Sequence, residues 1–186
     1  MILFIDACAR KDSRTRKVAE YLLGKLNGEI QTLKLYEENL PILDETYLSK
    51  RTDACNNNNY FLECFKYAKQ FAMADDIVIA APYWDLSFPA VLKTYIENIC
   101  VTGITFKYSE EGFPVGLCNG KNVFYVTTAG GKIINDSFGY GYIQSLAKGM
   151  FGIQNCYNIF AEELDIVGKN VEEILNNTYK IIDNTI

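Results

Sequence analysis

Two periodicities run along this chain, and the places where one gives way to the other mark its elements. Residues 2–5 and 77–81 are short, almost purely apolar runs. Runs of that kind suit strands covered on both faces of a parallel sheet. Pro82 cannot donate a ladder hydrogen bond and biases Ala81 toward extended backbone, so the second run ends there. Residues 29–35 alternate polar and apolar positions, and residues 122–128 and 154–161 supply two further strands. Between them, Val18, Leu22, Leu23 and Leu26 recur at helical spacing, and Asn27-Gly28 closes that helix. Val91, Leu92, Tyr95, Ile96 and Ile99 repeat the pattern after a start marked by Ser87 and Pro89. Further helices are predicted over 60–73, in the second half of 138–150 after Tyr140 and Tyr142, and over 169–183, where Val171, Ile174, Leu175, Tyr179 and Ile182 share a face. Residues 37–44 read as a connection and Asn56–Asn59 as a polar break. Five strands alternating with helices predict one α/β domain over 1–186, a doubly wound parallel sheet of order 2-1-3-4-5 with helices on both faces.

Composition narrows the chemistry. Apolar residues make up 49% of the 186 positions, enough for a real core, and no run approaches the ~18 apolar residues of a membrane span. The net charge of −5, with no basic stretch longer than Arg14-Thr15-Arg16-Lys17, argues against nucleic acid. The six cysteines include no C-x-x-C pair, so zinc-ribbon, thioredoxin and clustered iron–sulfur motifs are missing. With no leader pattern at the start, reduced thiols and a cytoplasmic location are expected. Histidine is absent. That excludes Ser-His-Asp and Cys-His catalytic units and any His-ligated metal, and leaves a bound cofactor as one way to carry the chemistry.

In a sheet of this order the ligand lies outside the carboxyl ends of the strands, at the switch point. Three unusual turns meet there. After the first strand, Arg10, Ser13, Arg14 and Thr15 surround a helix start, where free N–H groups and the helix dipole favour an anion. Residues this placed make either a capped helix with a solvated basic turn or a phosphate site. No Walker or G-x-G-x-x-G pattern is present. After the third strand come Pro82, Tyr83, Trp84, Asp85 and Leu86, with large side chains where small polar ones are usual. After the fourth come Thr128, Ala129, Gly130 and Gly131, whose glycines permit close backbone approach to a ligand. A planar, phosphorylated ligand suits all three turns, and FMN is the candidate. The aromatic-rich connection 101–120 is read as a cover for a ligand, a partner or the core.

With these turns in place the chain resembles the flavodoxin-like NAD(P)H:quinone oxidoreductases, which include the FMN-dependent NADH-azoreductases. The resemblance rests on A-A-P-Y-W-D-L-S-F-P-A-V-L-K-T-Y-I-E at 80–97, G-I-T-F-K-Y at 103–108, G-L-x-x-G-K at 116–121, T-T-A-G-G at 127–131 and S-R-T at 13–15. It implies that Ser13, Arg14 and Thr15 cradle the FMN phosphate, that 83–86 contact the isoalloxazine through backbone groups, and that 128–131 hold its pyrimidine edge. It further implies ping-pong transfer of two electrons, from NADH or NADPH to FMN and then to a quinone, azo or nitro compound. A homodimer is implied too, with Phe106 and Tyr108 as possible pocket residues and Tyr140 or Tyr142 near the acceptor. The alternative is a flavodoxin-like electron carrier without NAD(P)H activity, and a third reading is a binding protein that has lost the flavin. Two departures stand out. Asp85 occupies a position where the family often has Asn, and is read as a cap for the next helix. Ala7-Cys8-Ala9 replaces serines, so Arg10 is expected to add phosphate contacts and Cys8 to be a small buried filler.

Overall fold

The apolar runs become parallel strands in the computed structural model, which describes residues 1–186. In chain order the elements are β1 (Ile2–Asp6), α1 (Arg14–Leu23), β2 (Ile30–Lys34), α2 (Glu45–Asn56), α3 (Lys66–Met73), β3 (Asp76–Ala80) and α4 (Ala90–Ile99). There follow β4 (Phe106–Tyr108), β5 (Pro114–Gly116), β6 (Asn122–Thr128), α5 (Tyr140–Leu146), β7 (Asn155–Ala161) and α6 (Val171–Thr185). The main sheet has the order β2-β1-β3-β6-β7, all parallel, which is the predicted 2-1-3-4-5 among its five strands.

Alternation along the strands divides the core between the two faces. Leu3, Ile5, Ile77, Ile79, Val123 and Tyr125 face α3, α4 and α5. Ile2, Phe4, Val78, Ala80, Phe124 and Val126 face the other way, toward α1 and α6. Each large aliphatic side chain fully withdrawn from water contributes about 1.5–3 kcal/mol, so this double layer fixes the register of β1, β3 and β6. Their carboxyl ends are held level as a result.

Four segments differ from the sequence reading. Periodicity assigns nothing to residues 45–55, yet α2 forms there with only Ala54 buried. Two polar contacts hold it, one local and one distant: the Asp44 carboxylate accepts from the Tyr47 amide at 2.8 Å, and Arg51 Nη1 donates to the Glu97 carbonyl at 3.0 Å. The helix predicted from residue 60 begins at Lys66, after one 3-10 turn at Glu63–Phe65, because the chain first doubles back through Asn58 at φ 52°. The connection 101–120 contains the antiparallel hairpin β4–β5. It docks through Gly116, where a Cβ would stand 2.2 Å from the Phe151 carbonyl carbon; only glycine admits that approach. Tyr140 and Tyr142 lie inside α5 rather than before it, and α5 runs into a π-helical turn at Ala147–Phe151. No helix is long and apolar enough to cross a membrane.

Candidate active site

β1 ends in Asp6, a carboxylate only 1% exposed, and what surrounds it shapes the first wall of the site. Asp6 Oδ1 accepts from the Cys8 amide at 2.9 Å, and Oδ2 accepts from Arg16 Nε. The same guanidinium donates to the carbonyls of Cys8 (2.7 Å), Arg10 (2.8 Å) and Lys11 (2.9 Å). Arg16 thus wraps the 8–11 loop around itself, and its bond to Asp6 raises its pKa further above the usual value. Sequence reasoning placed Arg16 in a basic surface cluster and missed this role. A carboxylate and a guanidinium ten positions apart carry no local signature.

The loop delivers the start of α1. Ser13 is its N-cap, with Oγ accepting from the Arg16 amide at 3.3 Å, while the Arg14 and Thr15 amides take no backbone partner. Those two N–H groups, with the dipole behind them, are free for an anion. The cap and the anion site are therefore one structure seen from two sides. Thr15 is 1% exposed, and its hydroxyl meets that of Thr128 at 2.6 Å, tying the first turn to the third. Cys8 lies beneath, its thiol 3.7 Å from the Ala80 carbonyl and pushed up to about 12 by burial. A thiol so far from ionising is packing, as the sequence suggested.

The second wall continues the β3–β6 ladder beyond β3, with the Tyr83 amide donating to the Thr128 carbonyl at 3.0 Å. Trp84 and Ser87 then exchange both backbone hydrogen bonds (2.9 and 2.8 Å) around Asp85 at φ 51° and Leu86 at φ 67°. Two positive φ angles in a two-residue loop make a primed turn, ordinarily given to Asn and Gly. This overturns the reading of Asp85 as a helix cap: α4 starts at Ala90, its N-cap is Pro89, and no side chain caps it. Nor does Ser87 cap it, since its hydroxyl donates to the Phe138 carbonyl at 2.7 Å. What the turn offers instead is backbone, because the Asp85 and Leu86 amides have no acceptor in the protein. The Gly130 and Gly131 amides of the third turn are likewise free.

A fourth wall was not foreseen. The chain leaving β7 folds back beside the third turn, with Leu164 and Asp165 amides donating to the Ala129 and Gly130 carbonyls at 3.2 and 2.9 Å. A Cβ on Gly130 would stand 2.4 Å from Asp165 Oδ2, so a side chain there would push the Asp165 carboxylate aside. Arg14 Nη1 reaches across to Asp165 Oδ1 at 2.7 Å and to the Leu164 carbonyl at 3.3 Å.

These walls enclose a pocket of about 320 Å³. Of the residues singled out from the sequence, Arg10, Ser13, Arg14, Thr15, Pro82, Tyr83, Trp84, Thr128, Ala129 and Gly130 line it, joined by Ala9, Asp12, Leu164 and Asp165. Asp85, Leu86 and Gly131 stand outside its lining. Two arginines and two aspartates line the cavity, so its walls carry no net formal charge. Phe106 and Tyr108 do not reach it; they pack edge to face in the hairpin, ring centroids 5.5 Å apart. Tyr140 donates to the Cys156 carbonyl at 2.9 Å, and Tyr142 packs on Phe88, so neither lines the pocket.

Comparison with known proteins agrees with this architecture. The model of a family described as having a flavodoxin-like fold matches residues 1–185. A protein named FMN-dependent NADH:quinone oxidoreductase 2, from Clostridium acetobutylicum, is 44% identical, with 95% of this chain and 93% of that protein covered. An FMN-dependent NADH:quinone oxidoreductase from Clostridium perfringens is 43% identical over 92% of this chain and 90% of its own length. Among solved structures, an azoreductase from Bacillus anthracis superposes with a TM-score of 0.85 at 27% identity, covering 99% of this chain and 97% of that one. The chain belongs to the flavodoxin-like family that contains the NADH:quinone oxidoreductases.

Proposed function

We propose that this protein is an FMN-dependent NAD(P)H oxidoreductase that passes two electrons, in a ping-pong sequence, to a quinone, azo or nitro acceptor. One observation carries the reading: a helix N-terminus with two free amides opens into the same pocket as an aromatic turn and a Gly-Gly turn. The residues fit the cofactor at both ends. Ser13 Oγ, the Arg14 and Thr15 amides and the guanidinium groups of Arg10 and Arg14 supply donors for a phosphate. Tyr83, Trp84 and Thr128 to Gly130 line the space for a ring, with the Gly130 amide free to donate to its electron-rich edge. The free amides of Asp85, Leu86 and Gly131 are available to a part of the ring that extends past that lining.

When bound, FMN supplies the redox chemistry, taking a hydride from the nicotinamide and yielding two electrons to the acceptor. The protein's part is orientation and electrostatics. Trp84, 41% exposed at the pocket mouth, gives an aromatic edge against which flat reactants can settle. With no histidine in the chain, proton delivery to the acceptor falls to water or to hydroxyl groups. Six unpaired thiols accord with a reducing, cytoplasmic setting. Trp84, Leu86 and Phe138, all exposed beside the mouth, offer an apolar surface for the second copy of a homodimer.

Initial-rate kinetics test the mechanism. With NADH, NADPH and benzoquinone varied in turn, parallel double-reciprocal lines are expected for the active nucleotide. Intersecting lines contradict the ping-pong sequence. Flavin that stays bound yet oxidises neither nucleotide indicates the electron carrier instead.

A further inference from the structure

The sheet face beneath α5 turns polar toward its carboxyl end. Val123, Tyr125 and Thr127 follow one another on that face of β6, and Asn158 of β7 stands in register beside Tyr125. Tyr125 and Thr127 are only 1% and 4% exposed. Five buried side-chain polar atoms in the molecule have no hydrogen-bond partner in the protein, and three of them are Tyr125 Oη, Thr127 Oγ1 and Asn158 Oδ1. Burial pushes the Tyr125 phenol up, Thr127 stands near enough to offset part of that rise, yet no hydrogen bond closes between them.

All three residues line one small cavity, closed by Tyr83 and by the segment that precedes α5. The cavity leaves about 10 Å³ for the centre of a water molecule, the room of a single one. A buried water ordinarily makes about three hydrogen bonds, the number of unsatisfied atoms that converge here. Tyr95 supplies the contrast. Its hydroxyl is also unpartnered and fully buried, but the cavity of about 20 Å³ beside it is lined by hydrophobic residues throughout. A cavity with one polar atom stays dry, whereas one with three does not.

We propose that the cavity behind Tyr83 is an internal water site, in which one water donates to Asn158 Oδ1 and shares hydrogen bonds with the hydroxyls of Tyr125 and Thr127. Tyr83 is the partition between this site and the pocket, since it lines both. Its hydroxyl donates to the Asn135 carbonyl at 3.1 Å, in the segment that roofs the cavity. The water thereby joins β6 and β7 behind Tyr83, and braces the pocket wall from behind. The site does not depend on what fills the pocket.

The same substitution at two places decides it. Thermal unfolding is followed for the full-length chain, with FMN in excess, as Tyr125→Phe and Tyr95→Phe variants, with Thr127→Val as a second probe of the cavity. At Tyr95 the change removes an unsatisfied hydroxyl and raises the Tm. At Tyr125 and Thr127 it removes a partner of the water and lowers the Tm by about 2 °C or more. Tyr125→Phe that leaves the Tm unchanged or raises it overturns the proposal. So does a crystal structure that orders other internal waters and shows no density between these three atoms. Neither outcome bears on whether FMN binds.

Discussion

Arg16 shows how one side chain can fix a binding loop without touching the ligand. Four of its five donors are spent, one on Asp6 and three on carbonyls of the 8–11 loop, so the loop cannot relax while the pair is intact. Replacing Arg16 by Ala leaves Asp6 charged and buried, and breaking such a pair costs about 3–5 kcal/mol. A loss of that size in urea unfolding is expected, with weakened FMN binding; unchanged stability contradicts the role. Asp165 has the opposite sense. It is exposed and occupies Arg14, so Asp165→Asn removes a negative charge from the pocket and frees a donor. Exposed pairs are worth about 0.2–1 kcal/mol, and FMN binding is expected to tighten about two- to fivefold at low salt, with the gain fading as salt rises. Looser binding would show that Asp165 positions Arg14 instead. Cys8 sets a pH dependence. Its thiol is raised from the usual 9.0 to about 12 in the folded chain, so above pH 9 the unfolded state has released a proton that the folded state still holds. Stability from this group is whole below pH 9 and falls as pH rises toward 12. The Tm of Cys8→Ala should decline less steeply than that of the parent between pH 8 and pH 10; equal slopes argue against the burial of the thiol.

At the scale of elements, the turn after β3 is strained and the hairpin dock is tight. Leu86 at φ 67° holds a conformation that costs a branched residue roughly 1–2 kcal/mol and costs glycine nothing. Leu86→Gly is expected to raise the Tm by a few degrees, less the entropy glycine gives to the unfolded chain; a fall of several degrees would mean that the turn relaxes in solution. The elements were legible where burial imposed a period. β1, β3 and β6 are apolar because both faces are covered, and their bounds were found within a residue. α2 was invisible for the converse reason: it buries one alanine, and what holds it are Asp44 and Arg51, whose partners lie in its first turn and at the end of α4. The conformations of Asp85 and Leu86 were also hidden, since neither residue type announces a positive φ as Asn-Gly does.

For the molecule as a whole, the doubly wound order brought the loops of Arg14, Tyr83 and Thr128 together, and three of the four pocket walls were legible from that order plus the residues in each turn. The wall from Leu164 and Asp165 was not, because a polar stretch after the last strand looks like any exposed loop until Gly130 and Arg14 are seen to receive it. The start of α1 is the proposed phosphate site of the flavin pocket. Fluorescence titration of the full-length chain with FMN and, in parallel, with riboflavin tests it most directly, since the two ligands differ only in the phosphate. Charge-assisted hydrogen bonds contribute about 1.5–3 kcal/mol each, so riboflavin is expected to bind at least about 100-fold more weakly than FMN. Equal affinities, or no binding of either, would contradict the account.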